Sequence, residues 1–136
     1  MRRPNMKKLV LAAAVVGGLV GVGYRAHAGY KATWTVFVED YNRGASGGVG
    51  TARSAGDSNS RIGCYVYKTT TARYGICVAR NSAGAIGSCL TQDPATIDDI
   101  RSVNGISFVF FQWNATTGDC EMVQVRNISE NQPMVP

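Results

Sequence analysis

The chain has 136 residues, a formal net charge of +5 and a single histidine, His27. Five of its fourteen basic residues but none of its nine acidic ones precede Gly29. A chain starting there is electrically balanced, so composition lends no support to a polybasic nucleic-acid or membrane surface. It also lacks imidazole, which excludes a Ser-His-Asp triad, a Cys-His pair and His-ligated zinc, copper or iron.

The N-terminus reads as a cleavable signal peptide over residues 1–28. Arg2, Arg3, Lys7 and Lys8 make a positive start, Leu9 to Tyr24 is apolar and uncharged, and Ala26-His27-Ala28 is a small-residue cleavage pattern. The apolar run is shorter than the roughly 20 residues of a bilayer span. Residues 29–136 are then expected to be one exported, β-rich domain, secreted or periplasmic, with no stable membrane insertion after cleavage.

Lys31 to Val38 alternates, with Trp34, Val36 and Val38 on one face, and predicts a strand. Tyr41 to Ser60 is rich in Gly, Ser, Ala and Asn and predicts a long loop, with room for a short strand at Gly48 to Ala52. Arg61 to Lys68 predicts a strand with Ile62, Cys64 and Val66 on one face and Gly63, Tyr65 and Tyr67 on the other. Tyr74 to Arg80 and Ile86 to Thr91 predict a hairpin closed by Asn81 to Ala85. Asp93 to Asn104 predicts the one helix: Asp93 caps it, Pro94 suits its first position, and Ile97, Ile100 and Val103 share a face. Ile106 to Trp113 is apolar on both faces and predicts a central strand covered on each side, with Phe108, Phe110, Phe111 and Trp34 as core. Cys120 to Asn127 is the last strand, and the chain is expected to fray from about residue 129. The fold class expected is α+β, β-rich: a mainly antiparallel sheet of five to seven strands with one short helix, or a β-sandwich with an inserted helix.

Cys64, Cys77, Cys89 and Cys120 lack the Cys-x-x-Cys knuckles of a zinc site and read as two disulfides. The hairpin register places Cys77 opposite Cys89. Pairing Lys68 with Tyr74 across the preceding turn leaves Cys64 one residue out of register with Cys77. The expected bonds are therefore Cys77–Cys89 and Cys64–Cys120.

Carboxylates are the remaining catalytic chemistry. A glycosidase needs two across a cleft. Asp98 and Asp99 suit the helix dipole and a pairing of Asp98 with Arg101, and Glu39-Asp40 suits a solvated strand end. Gly56 to Ser60 is dense in oxygen donors, but Arg61 stands where a calcium loop wants another, so a polar turn is expected. No catalytic residue, cofactor or metal is assigned. Tyr65 and Tyr67 are the candidates for surface recognition, since the opposite strand face already carries the core residues.

The blocks Gly50-Thr51-Ala52-Arg53-Ser54, Arg61-Ile62-Gly63-Cys64, Gly75-Ile76-Cys77, Ser88-Cys89, Phe111-Gln112-Trp113-Asn114 and Gly118-Asp119-Cys120 resemble a set of uncharacterised small secreted proteins of Gram-negative bacteria. The resemblance implies a bacterial, exported, disulfide-bonded domain and attaches no activity to it. The function expected is a non-catalytic exported binding, structural or inhibitory module with a protein or glycan partner and no nucleic acid. The alternative is a carboxylate-based hydrolase acting on polysaccharide or cell wall.

Overall fold

The computed structural model describes residues 32–128. The expected signal peptide and the expected frayed tail from about residue 129 lie outside them. Seven strands and two short helices follow in the order β1 (Phe37–Glu39), β2 (Gly44–Gly48), α1 (Val49–Arg53), β3 (Arg61–Lys68), β4 (Arg73–Arg80), β5 (Ile86–Thr91), α2 (Pro94–Arg101), β6 (Ser107–Trp113) and β7 (Cys120–Asn127). They form two antiparallel sheets, one ordered β1-β2-β6-β7 and the other β3-β4-β5. The β-rich, antiparallel architecture matches the expected class, with its strands divided between two sheets and a second short helix added.

The sheets stack through one face each. Val38, Ala45, Val109 and Phe111 of the larger sheet share a core with Ile62, Cys77, Ala79 and Cys89 of the smaller. Period-two alternation puts these residues on the same side of their strands. They approach closely at Gly87, where a Cβ would sit 2.8 Å from the Trp113 ring. At Gly75 an added Cβ would meet the Ile100 Cδ1 atom at 2.6 Å. Glycine there lets α2 press its buried Ile97 and Ile100 onto β4.

Helix α2 begins as the sequence predicts. The Asp93 carboxylate accepts from the Thr96 backbone N–H at 2.8 Å, and Pro94 opens the first turn. Its far end is tied to the larger sheet by a polar cluster around Ser107. Ser107, fully buried, accepts from the Asn104 N–H at 2.7 Å and donates to the Asn127 side-chain carbonyl. Asn127 in turn donates to the Ser102 carbonyl at 3.0 Å.

Four expectations need correction. The first strand is shorter than Lys31 to Val38, and Trp34 lies half-exposed outside it. The expected loop from Tyr41 to Ser60 contains β2 and α1. The β2 sequence Gly44-Ala45-Ser46-Gly47-Gly48 has no intrinsic strand preference. Pairing on both sides, to β1 and to the aromatic strand β6, makes it a strand. Third, β6 is central but covered on one face only: Val109 and Phe111 are buried, whereas Phe108 and Phe110 are half-exposed on the other.

The fourth correction concerns the disulfides. The bonds are Cys64–Cys77 and Cys89–Cys120, not Cys77–Cys89 and Cys64–Cys120. The hairpin register is as expected, with Cys77 opposite Cys89. The turn before it is one residue tighter than expected: Lys68 pairs with Arg73 across Thr69–Ala72, which brings Cys64 directly opposite Cys77. Cys77 therefore has a cysteine on either side. A strand residue points its N–H and C=O to one side, so its narrow, non-hydrogen-bonded pair lies on the other. The Cα–Cα distance of 4.1 Å marks Cys64–Cys77 as the narrow pair, in which the side chains stand closer. Cys89 is left to Cys120, which joins the two sheets. Beside that bond, Leu90 N–H donates to the Gly118 carbonyl at 3.1 Å.

Candidate functional site

The outer face of the larger sheet is built around a strand with almost no side chains. Residues Gly44, Ser46 and Gly48 of β2 point away from the core, opposite to buried Ala45. On one side of this strip stand Phe37 and Glu39 of β1, and on the other Phe110 and Gln112 of β6. The result is a trough of about 260 Å³, its floor backbone and a hydroxyl, its walls aromatic. Phe37 is 57% exposed, free of the core and available as a wall. The Phe110 ring leans over the floor, with Cε2 3.7 Å from where a Gly44 Cβ would be.

One end of the trough is polar. Asn42, in the β1–β2 turn, donates from Nδ2 to Glu39 Oε2 at 2.7 Å, and the Gln112 amide faces the same end. The turn holds Arg43 at φ 50°, a left-handed conformation that L side chains rarely adopt. The Arg43 carbonyl accepts from the Trp113 N–H at 3.0 Å, which pins the turn against β6. Beyond the trough, the same sheet face stays aromatic. Trp34 meets Phe108 edge-on with ring centroids 5.2 Å apart, and the Arg126 guanidinium lies 5.5 Å from the Phe108 centroid. The Gly48 N–H donates to the Trp34 carbonyl at 2.8 Å, tying Trp34 to β2.

Two further clefts are present. One of about 160 Å³ lies between Val36, Ala52 and Asp57, and one of about 350 Å³ between Arg73, Pro94, Ile97 and Asp98. The latter is the largest of the three but has no aromatic lining. Each of the three clefts has a single carboxylate in its lining: Glu39, Asp57 or Asp98.

The other candidate carboxylates are engaged structurally. Asp98 forms the expected pair with Arg101 at 2.8 Å. Asp57 accepts from the Ser60 hydroxyl at 2.7 Å and from the backbone N–H groups of Ser60 and Asn59, an ordinary polar turn. These hydrogen bonds, that from the Ser60 hydroxyl foremost, hold the Asp57 carboxyl below the usual carboxylate range. Bonds from Thr96 lower Asp93 in the same way. Among the described residues no group of three or more His, Cys, Asp or Glu side chains gathers to hold a metal ion.

Tyr65 and Tyr67 do not reach the trough. They stand on the outer face of the smaller sheet, 52% and 41% exposed, with Tyr67 stacked on Tyr74 at 5.0 Å. Sequence reasoning placed these two on the surface and missed the trough, whose signal was the wall residue Phe37 beside a strand-length run of small residues. Comparison with protein-family models, with curated proteins and with solved structures finds no match to the chain.

Proposed function

We propose that the protein is a non-catalytic exported binding module, secreted or periplasmic, whose ligand site is the trough over β2. The N-terminal signal pattern and two disulfides support export, since disulfides persist in oxidising compartments. The observation that carries the binding reading is the trough itself: a floor without side chains between aromatic walls, with an amide and carboxylate pair at one end. Aromatic rings receive the C–H face of a sugar, and planar amide and carboxylate groups receive its hydroxyls. A glycan chain is thus the ligand class the lining favours. The presence of one carboxylate per cleft favours binding over hydrolysis, which needs an acid and a base or nucleophile across the scissile bond.

Titration with soluble neutral oligosaccharides and cell-wall fragments, followed by NMR, tests the reading. The expected result is perturbation confined to Phe37, Ser46, Phe110 and Gln112. Phe37→Ala should weaken binding by about five- to tenfold, the value of one aromatic contact. No perturbation of the trough by any oligosaccharide overturns the ligand class. Release of reducing ends that Glu39→Gln abolishes overturns the non-catalytic reading.

A further inference from the structure

Charge is unevenly distributed along this chain. From Arg61 to Thr91, which spans β3, β4, β5 and their turns, there are four basic residues and no acidic one. The remaining described residues contain eight acidic and four basic side chains. Overall balance conceals a positive sheet and a negative remainder, so a neutral total does not exclude a basic face.

The outer face of that sheet is also apolar. At one end Arg61 stands opposite Arg80, and Arg80 opposite Ile86, which is 59% exposed. The following rungs present Val78, then Tyr65, Ile76 and Leu90, then Tyr67 with Tyr74. Nothing lies within 4 Å of the position a Gly63 Cβ would take, so the face is open there. Lys68 and Arg73 pair at the hairpin tip but, by the same alternation, belong to the opposite face, so the charge of this one rests on Arg61 and Arg80.

Like charges directly opposite on a sheet repel. Among the described residues neither Arg61 nor Arg80 has an ion pair, and Arg80 Nε is buried without a hydrogen-bond partner. The repulsion between the two arginines is a local cost that an external anion offsets. The shape of the face narrows the choice of anion. Its outward side chains line none of the three clefts described above, which suits a broad surface better than a polymer held in a groove. Its centre is aliphatic as well as aromatic, and Tyr67 and Tyr74 spend one ring face on each other. A bilayer surface matches all three features: aliphatic side chains meet the acyl boundary, tyrosines sit among headgroups, and arginines reach phosphates.

We propose that the outer face of β3, β4 and β5 is a peripheral docking surface for a membrane containing anionic phospholipid. No helix among the described residues is long and apolar enough to cross a membrane. The surface lies on the sheet opposite the trough, and the two proposals stand or fall separately.

Co-sedimentation of the oxidised chain, purified from a secreting host, with two kinds of vesicle tests the proposal. One is phosphatidylcholine alone and the other contains about one third phosphatidylglycerol. The expected result is salt-sensitive binding to the second only. Arg61→Ser with Arg80→Ser should reduce it about thirtyfold, from two surface charges at roughly a factor of five each. Arg61→Glu alone, at an exposed position, provides a variant with no folding demand and should reduce binding at least fivefold. Tyr65→Ser should weaken binding while leaving its salt dependence unchanged. Equal binding to both vesicles, no binding to either, or binding indifferent to Arg61→Glu overturns the proposal. So does tight binding to a single-stranded oligonucleotide or to heparin by a chain that ignores the vesicles.

Discussion

The two outer sheet faces solve opposite problems with similar backbones. The larger sheet has a strand stripped of side chains at its middle, and its aromatic residues stand to either side as walls. The smaller sheet has side chains across most of its outer face, largely apolar with two arginines at one end, and its strands are free of acidic residues. The concavity of the trough comes from glycine and serine in one strand. The smaller sheet fills most of the corresponding positions. The difference teaches that a ligand site can be made by omission.

The comparison can be broken or sharpened by mutation. The largest effects should come from the disulfides, one inside the smaller sheet and one between the sheets. Replacing either pair with alanine should cost about 2–4 kcal/mol by denaturant unfolding. Removing Cys89–Cys120 should cost about 0.8 kcal/mol more than removing Cys64–Cys77, because it closes 31 residues rather than 13. Equal losses would mean that the sheets are held together by their core alone.

Glycines of the two sheets should respond differently. Gly87→Ala drives a Cβ into the rigid Trp113 ring between the sheets and should destabilise by about 1–3 kcal/mol. Gly44→Ala points into the trough, where its nearest neighbours are ordinary contacts at 3.6 to 3.8 Å. Its cost should stay within about 0.5 kcal/mol while the floor rises. Similar losses at both would refute the assignment of inner and outer faces. Arg43→Gly relieves the left-handed turn beside the trough and should stabilise by up to about 1 kcal/mol. A loss instead would show that the arginine side chain holds the turn.

The smallest effect should be on pH dependence, and it separates the acidic half of the molecule from the basic sheet. Asp57 and Asp93 have lowered folded values, so their contribution is present above the unfolded carboxylate value of about 4 and disappears as pH falls through the folded values. Stability should be flat from about pH 5 to 8, because the described chain has no histidine and its cysteines are bonded. Thermal melts across that range check this. Asp57→Asn with Asp93→Asn should flatten the fall below pH 4 as well.

Much of the fold was legible where alternation and caps carry it. Strands β3 to β7 and helix α2 fall within a residue or a few of their expected bounds, since Ile62, Cys77, Ile97 and Phe111 mark buried positions at the proper period. Strand β2 was not legible, because a run of glycine, alanine and serine has no hydrophobic signal and becomes a strand only between β1 and β6. The trough followed it out of sight. The disulfides were missed by a single residue of register at Thr69–Ala72, which alternation left open because β4 is apolar on both faces, Ile76 and Val78 on one and Cys77 and Ala79 on the other. The absence of acidic residues from Arg61 to Thr91 was open to reading, but net charge averages it away.

The rung that places Cys77 between Cys64 and Cys89 has a kinetic side. Thiol–disulfide exchange needs a thiolate near a disulfide sulfur, and here the competing thiol stands on the adjacent strand. A reduced chain folding all at once must choose between two neighbours of one cysteine. A chain emerging N-terminus first meets no such choice: Cys64 and Cys77 are side by side before Cys89 arrives, and Cys89 then waits for Cys120. The direction in which the chain is delivered thus becomes part of what specifies its covalent structure.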